Sequence, residues 1–254
     1  MLIAITREVG AGIVRCELTH LERLPIDLAR AKDQHHRYEE CLAALGCEVR
    51  RLPDEPDLPD AVFVEDAAVV LDEIAVITRP GAESRRAETA SVAGALEAFR
   101  PLGRIEPPGT LDGGDLLRVG KRIFIGRSGR SNRDGIDQMR ALARPLGYDV
   151  EEVPVHGCLH LKSAVTQVGP DALLIQRKWV DPAPFTGLDL IDVDPGEPFA
   201  ANALLVGGRV VHPAAYPRTR ARLEARGIAV RSVDVSELAK AEGSVTCCSL
   251  ILEV

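Results

Sequence analysis

Short apolar runs separated by polar turns recur along the chain, and they predict hairpins of buried strands. The clearest hairpin joins Ala67–Leu71 to Ile74–Thr78 through Asp72 and Glu73. Two runs rich in Val, Ile, Leu and Ala that flank a two-residue polar turn are typical of paired β-strands. This stretch therefore predicts two strands that lie side by side in a sheet.

The same order of elements is predicted four times. Each hairpin is followed by apolar positions at spacings of three and four, which indicate an amphipathic helix, and then by a further strand. The hairpins begin near residues 67, 115, 164 and 203, and the third helix, around Trp179 to Gly187, has the weakest pattern. A period of roughly 40 to 50 residues indicates a repeat architecture built from ββαβ units.

The fifth unit is split between the two ends of the chain. Its first strand is predicted at Cys248–Leu252, and Leu2–Leu52 supplies its second strand, its helix and its last strand. Pairing of the termini would protect edges that an open sheet leaves exposed. We therefore expect an α/β fold, a five-bladed pseudo-symmetric propeller, in one domain over residues 1–254. The alternative is an open α/β fold whose similar units reflect only common strand–helix order.

Composition and charge narrow the possible partners. The chain is 46% hydrophobic and 27% charged, with a net charge of −7, which argues weakly against nucleic acid and is compatible with a small cationic ligand. No apolar run approaches the roughly 18 residues of a membrane span, so no membrane partner is expected. The first residues, Met1–Arg7, indicate a strand and not a signal peptide, so we expect a cytoplasmic location.

The number and spacing of the cysteines also favour a cytoplasmic location, and they indicate no metal site. Six cysteines in 254 residues are too few for a disulfide framework, so we expect reduced thiols. The chain contains no CxxC and no HExxH pattern, and we therefore expect no metal site. The cysteines are Cys16, Cys41, Cys47, Cys158, Cys247 and Cys248.

Polar residues precede the first strand of every predicted unit. In a ring, these five positions would face the same centre, where charged groups are costly to gather unless something binds there. Each residue alone has an ordinary structural explanation, and a single cysteine before a strand usually packs as a small hydrophobic group. Together they offer a nucleophile, an acid or base and carboxylates, a set suited to covalent catalysis on a cation. They are Glu65, Asp66, Asp112, Asp115, His160, Lys162, Asn202 and Cys247.

Two arginines occupy a second repeated position, in the loop after the second strand of a hairpin. They are Arg85 and Arg130. Two guanidinium groups at one rim could clamp a carboxylate, although their neighbours Arg86 and Arg133 are better explained as solvated residues at helix starts. A negative floor with a positive rim predicts an amino-acid ligand whose side chain is cationic.

With these residues in place, the chain resembles the dimethylarginine dimethylaminohydrolase family of the amidinotransferase, or pentein, superfamily. The resemblance implies a five-bladed α/β ring and a cofactor-free hydrolase. The implied reaction converts asymmetric dimethylarginine or monomethylarginine to citrulline and dimethylamine or methylamine, through a covalent S-alkylthiouronium on cysteine. The segments that carry the resemblance are Leu58–Asp66, Thr78–Arg86, Thr110–Asp115, Leu159–Ser163, Ala201–Asn202 and Gly243–Ser249.

The resemblance also assigns roles to individual residues. Cys247 is implied as the nucleophile, His160 as the general acid and then base, and Asp112 as the third catalytic residue, where some relatives carry the longer Glu. The implied substrate-binding residues are Leu18 in a lid, Asp60 and the backbone of Ala241 at the α-amino group, Glu65 and Asp66 at the guanidinium, and Arg85 and Arg130 at the α-carboxylate.

Three other functions remain open at the level of sequence. An arginine deiminase would release ammonia from unmethylated arginine, although such enzymes usually carry an added helical domain. A non-catalytic ring that binds amino acids would keep the fold without the chemistry. A thiol site at Cys247, Cys248 and His160 could hold inhibitory zinc. The sequence does not fix the oligomeric state, and a homodimer is one candidate.

Overall fold

The fold is built from fifteen strands, and the computed structural model describes all 254 residues. The strands are β1 Leu2–Arg7, β2 Cys47–Leu52, β3 Ala68–Val70, β4 Ala75–Ile77, β5 Leu102–Arg104, β6 Leu116–Val119, β7 Arg122–Arg127, β8 Asp149–Pro154, β9 Val165–Gly169, β10 Ala172–Ile175, β11 Asp189–Asp192, β12 Leu204–Val206, β13 Arg209–Pro213, β14 Val230–Val233 and β15 Leu250–Glu253. The helices are α1 Leu28–Ala44, α2 Thr89–Leu96, α3 Arg133–Ala143, α4 Leu161–Ala164, α5 Pro217–Ala225 and α6 Ser236–Ala239. None of these helices combines the length and the apolar character that crossing a membrane requires.

The strands form five three-stranded sheets with one common pattern. The orders are β3-β4-β5, β6-β7-β8, β9-β10-β11, β12-β13-β14 and β15-β1-β2. In each sheet the first pair is antiparallel, as a hairpin requires, and the second is parallel, as a helical crossover requires. The predicted α/β arrangement of five similar units is confirmed.

The apolar core is divided among the gaps between successive sheets. Five buried clusters each draw side chains from two units, for example Ile77 of β4 with Ile3 and Leu252 of β1 and β15. Another cluster joins Val211 of β13 to Ala4 of β1. Because every sheet packs its two faces into two different clusters, the strand ends are left to build a separate polar region.

Two predicted elements differ from those observed. The third unit has only a short 3₁₀ turn, Ala183–Phe185, because the prolines at 182 and 184 disfavour a longer helix. The last strand begins at Leu250, since Ser244–Cys248 folds into turns in which the amide of Cys247 bonds the carbonyl of Ser244. Helix α6, which precedes these turns, was not predicted.

Candidate active site

Short helical turns place the predicted catalytic side chains at the start of the first strand of each unit. Asp66 lies in the 3₁₀ turn Val64–Ala67, Asp112 caps the turn Gly113–Asp115, and His160 caps helix α4. The turns pack closely because glycine separates them. A Cβ on Gly114 would lie 2.5 Å from Nδ1 of His160 and 2.8 Å from Oδ1 of Asp66, so only glycine fits there.

His160 lies between two carboxylates and is almost fully buried. Its Nε2 is 3.0 Å from Oδ2 of Asp112, and its Nδ1 is 3.7 Å from Oδ1 of Asp66. Burial alone would lower the pKa of His160, but Asp66 and the hydrogen bond to Asp112 outweigh burial and raise it to about 9. The imidazole is therefore protonated at neutral pH and can act as an acid.

Asp66 is held ionised by two cations and one backbone amide. Its Oδ1 accepts a hydrogen bond from the amide of Gly114 at 2.9 Å, and its Oδ2 accepts one from Arg85 at 2.6 Å. Burial would raise the pKa of Asp66, but His160 and Arg85 outweigh burial and hold it at about 2. Asp66 therefore carries a permanent negative charge in a dry environment, where it favours a bound cation.

Asp115 fixes the turn that carries His160. Its Oδ1 accepts a hydrogen bond from the amide of Leu161, and its Oδ2 accepts bonds from the hydroxyls of Ser128 and Ser131. Burial raises the pKa of Asp115 to about 6, although the nearby His160 acts against that shift. This carboxylate therefore anchors helix α4 to the turn that carries Asp112.

Cys247 is half-buried beside these groups and is distinct from its neighbour Cys248. The amide of Ser244 donates to Sγ of Cys247 at 3.3 Å. Burial, together with Glu65 and Asp66, raises the pKa of the Cys247 thiol to about 12, so the thiol is neutral until a positive charge arrives. Cys248 is fully buried and bonds the carbonyl of Ser244, which makes it a packing residue.

Both carboxylate oxygens of Glu65 accept hydrogen bonds in a network near Cys247. Lys162 donates to its Oε1 at 2.7 Å and the Thr246 hydroxyl donates to its Oε2 at 2.8 Å. Asn202 exchanges two hydrogen bonds with Thr246, at its amide and at its hydroxyl. The network fixes the residue that precedes Cys247, and both oxygens of Glu65, like those of Asp66, already accept hydrogen bonds.

The two predicted arginines lie in different environments. Arg85 is 4% exposed and its guanidinium bonds Asp66, Glu88 and the carbonyls of Asp60 and Phe63. The pKa of Arg85 lies well above its usual range because, although burial opposes the shift, Asp66 and Glu88 favour the cation. Arg130 bonds only the Thr19 hydroxyl through its side chain, and its Nη1 lies 4.0 Å from Asp112.

The predicted lid covers this region. Leu18 is half-buried against the first apolar cluster, and the amide of Glu17 donates to Oδ2 of Asp60 at 3.0 Å. The carboxylate of Glu242 accepts bonds from three successive lid amides, those of residues 19, 20 and 21. Glu242 is the one non-glycine residue with a positive φ, 59°, so the backbone is strained where it grips the lid.

A small polar cavity lies beneath the lid, and we call it the inner compartment. Its volume is about 20 Å³, room for about one water. It brings together eight of the ten predicted site residues and leaves out Leu18 and Glu65. The eight are Asp60, Asp66, Arg85, Arg130, His160, Ala241 and Cys247, which line it, and Asp112, which bonds His160.

The site also offers a possible set of metal ligands. One ligand atom each from Asp66, Asp112 and His160 lies within 4.8 Å of the others. All three are already engaged, because His160 bonds Asp112 and Asp66 bonds Arg85. A cation that bound there would have to replace the proton on His160.

Several residues of the site had no signal in the sequence. Glu88 follows Arg85 by three positions, a spacing that permits an ion pair in any helical turn. Glu242 and Thr246 lie near Cys247 in the sequence, but the direction of a side chain in a turn cannot be inferred from sequence. The missed residues are Glu17, Glu88, Glu242 and Thr246.

Comparison with known proteins identifies close relatives. A protein from Streptomyces coelicolor named N(G),N(G)-dimethylarginine dimethylaminohydrolase is 43% identical over 253 residues, which cover 98% of this chain and 96% of that protein. A protein of the same name from Pseudomonas aeruginosa is 38% identical over 226 residues, covering 88% and 89%. No protein-family model matches the chain.

Solved structures give the same result. A mutant of the Pseudomonas aeruginosa enzyme in complex with citrulline superposes with a TM-score of 0.93 at 36% identity, covering 98% of both chains. A dimethylarginine dimethylaminohydrolase adduct with S-methyl-L-thiocitrulline superposes with a TM-score of 0.94 at 36% identity, covering 99% of this chain and 100% of that one. The N-terminal domain of the arginine dihydrolase ArgZ, at 18% identity, shares the fold with a TM-score of 0.84 and covers 99% and 98%.

Proposed function

The chain belongs to the dimethylarginine dimethylaminohydrolase family, and we propose that it hydrolyses Nω-methylated L-arginine to citrulline and methylamine or dimethylamine. It is a hydrolase with a small cationic amino acid as its substrate. The observation that carries this proposal is the position of His160 between Asp66 and Asp112, next to a neutral thiol, in a compartment that ends in Arg130 and Asp60.

The substrate is oriented by charge. We propose that its guanidinium lies against Asp66, with Glu65 contributing less because Asp66 lines the inner compartment and Glu65 does not. Its α-carboxylate meets Arg130, whose guanidinium has one recorded hydrogen bond, to a lid hydroxyl.

The other end of the substrate is held by the backbone and the lid. Its α-amino group meets Asp60 and the carbonyl of Ala241, and Leu18 covers it. Arg85 can join Arg130 only by giving up part of its bonding to Asp66 or Glu88. Burial raises the pKa of Glu88 to about 7 although Arg85 opposes that shift, which makes Glu88 the easier of the two partners to release.

The first half of the reaction forms a covalent intermediate. The bound guanidinium lowers the pKa of the Cys247 thiol from its high resting value by adding a positive charge beside it, and the thiol proton is released to solvent. The thiolate attacks the guanidino carbon and the bond from that carbon to the methylated nitrogen breaks. His160 donates a proton to the departing nitrogen, which leaves as a neutral amine. Asp112 holds the imidazole in place.

The second half restores the thiol. His160, now neutral, takes a proton from a water that attacks the S-alkylthiouronium carbon, and the carbon–sulfur bond breaks to give citrulline. The sulfur leaves with its electron pair, and the hydroxyl proton lost as the citrulline carbonyl forms converts it back to the thiol, beside protonated His160. Side chains of the chain itself serve every step, and we propose a reaction without metal or cofactor.

We also infer that the five sheets form one closed domain over residues 1–254. The support is the antiparallel pairing of β1 with β15, with Leu2 opposite Glu253, and the cluster shared by the fourth and fifth units. Deleting residues 250–254 removes β15, so we expect loss of cooperative unfolding and of activity together. A truncated protein with wild-type melting behaviour would contradict closure.

A cytoplasmic location is proposed on the basis of six unpaired cysteines, which suit a reducing compartment. A homodimer is proposed as one assembly compatible with the chain. Fractionation of cells and analytical ultracentrifugation would check these two points separately.

The activity is tested by measuring citrulline released from asymmetric dimethylarginine, monomethylarginine and arginine side by side. We expect kcat/KM for a methylated substrate to exceed that for arginine. A clear preference for arginine would favour the arginine deiminase alternative, and no citrulline from any of the three would favour a non-catalytic ring.

A further inference from the structure

A second cavity opens from the catalytic residues toward the surface, and its outer wall has no role in the chemistry described above. Its volume is about 230 Å³, and Cys247 and His160 lie at its base. We call its outer part the aromatic vestibule, which is lined by Leu21, Trp179, Phe199 and Tyr216. A concave apolar wall next to a reactive group is the usual form of a ligand site.

The wall is fixed at one end and exposed at the other. The rings of Trp179 and Phe199 are tilted against each other with centroids 5.2 Å apart. The carbonyl of Trp179 accepts a hydrogen bond from the amide of His156, in the loop that leads to His160. Phe199 is 53% exposed and Leu21 is 40% exposed. Large apolar side chains held open to water beside a nucleophile indicate that an apolar group covers them.

The two compartments divide the substrate between them. They share a wall that includes His160 and Cys247, while Arg130 and Asp60 line only the inner compartment and the aromatic pair lines only the vestibule. The charged amino-acid end of the substrate matches the polar side in charge, and it enters once the lid over that side has moved, because the inner compartment alone has room for about one water. The guanidino carbon then lies at the shared wall, and the departing nitrogen points away from the polar side, toward the vestibule.

We propose that the aromatic vestibule holds the substituent on the departing nitrogen, and that the enzyme accepts arginines whose Nω-substituent is an apolar group larger than methyl, up to a benzyl ring. This inference rests on the proposed function. Attack by Cys247 breaks the bond between the guanidino carbon and the substituted nitrogen, and His160 supplies the proton with which the primary amine leaves. The covalent intermediate is the same for every substituent, so the vestibule acts only on the first half of the reaction.

The test measures citrulline from Nω-methyl-, Nω-propyl- and Nω-benzyl-L-arginine with the wild-type enzyme and with Phe199→Ala, Trp179→Ala and Leu21→Ala. We expect kcat/KM for the benzyl substrate to lie within about tenfold of that for the methyl substrate in the wild type. We expect each variant to lower the benzyl-to-methyl ratio of kcat/KM by roughly fivefold. The matched control is Leu24→Ala, an exposed leucine of the same loop that does not line the cavity, and it should leave the ratio unchanged.

Three results would overturn the inference. Benzylarginine turned over more than about 100-fold less efficiently than methylarginine would exclude an apolar subsite of this size. An unchanged ratio in all three vestibule variants, or an equal fall in Leu24→Ala, would exclude these side chains as its wall. In each of these cases methylarginine is still hydrolysed, so the proposed function stands; absence of citrulline from every substrate overturns the function and this inference together.

Discussion

The gap between the third and fourth units and the polar cluster at His160 are both buried, yet they are organised differently. The gap contains nine buried residues with apolar side chains, among them Leu174, Val210 and Leu223. The cluster places Asp66, Asp112 and His160 together, and every charged atom has a specific partner. In the gap, the contribution to the free energy of unfolding depends on how much apolar surface is buried and how well it packs. In the cluster, that contribution depends on individual charges. Stability and activity should therefore respond to mutation in different regions.

The largest effect is expected at the thiol. Cys247→Ala removes the nucleophile and should lower kcat by about 10⁴-fold or more, because loss of a nucleophile removes the covalent route. Steady-state release of citrulline measures it. The matched control is the adjacent Cys248→Ala, which removes a buried thiol with no part in the chemistry and should keep kcat within about tenfold. Equal losses in the two variants would contradict the separation of their roles.

His160→Gln should lower kcat by about 10²- to 10⁴-fold, because the departing amine then receives no proton from a positioned acid.

The same variant tests the electrostatics of the cluster through stability. The pKa of His160 is raised from 6.5 to about 9 because Asp66 and Asp112 outweigh burial. Its stabilising contribution is therefore fully present below pH 6.5 and is lost as the pH rises through 9.

Denaturant unfolding at several pH values gives the size of that contribution. Between pH 6.5 and 9.5 the wild type should lose about 3 kcal/mol more of its unfolding free energy than His160→Gln does. Parallel stability curves for the two proteins would show that His160 is neutral in the folded state and could not begin the reaction as an acid.

Leu223→Ala should show the opposite behaviour. Leu223 lies on helix α5 and is fully buried in the gap between the third and fourth units, so its loss should reduce the unfolding free energy by about 2–5 kcal/mol. At a temperature where the variant is folded, kcat and KM should be unchanged. A tenfold fall in kcat with full folding would show that the gap and the cluster are coupled.

The smallest effect is expected at the lid. Glu242→Gly removes three hydrogen bonds to the lid amides and also relieves the positive φ. Amide hydrogen exchange at residues 19, 20 and 21 should become roughly tenfold faster, while the melting temperature does not fall. Glu242→Ala is the comparison, since it loses the same bonds but keeps the strain, and it should melt lower than Glu242→Gly. Unchanged exchange in both variants would show that Glu242 does not hold the lid.

The sequence predicted the buried apolar residues between the units better than the polar cluster at His160. The periodic apolar positions of helix α1, such as Tyr38 and Leu42, are buried as expected, because periodicity reports which face meets a core. The prediction of a helix in the third unit was wrong, because prolines override a weak apolar pattern. Most predicted site residues do line the inner compartment, among them Asp66, His160 and Cys247, which precede the first strands of similar units.

What the sequence did not reveal is how the charged atoms pair. Arg85 forms ion pairs with Asp66 and Glu88, and Glu242 accepts hydrogen bonds from the lid amides. Both sets of contacts depend on side-chain directions in short turns. Such directions follow from tertiary contacts and leave no periodic pattern. Pairing of this kind decides which groups are free to meet a ligand, and it is therefore the part of the site that only a structure supplies.

The central claim is that Cys247 forms the covalent intermediate with a methylated arginine. Its most direct test is mass spectrometry of the enzyme quenched in acid during turnover of asymmetric dimethylarginine. We predict a mass increase equal to dimethylarginine minus dimethylamine, located on the peptide that contains Cys247 and absent from Cys247→Ala. Rapid turnover without any adduct, or an adduct located on Cys248, would contradict the account.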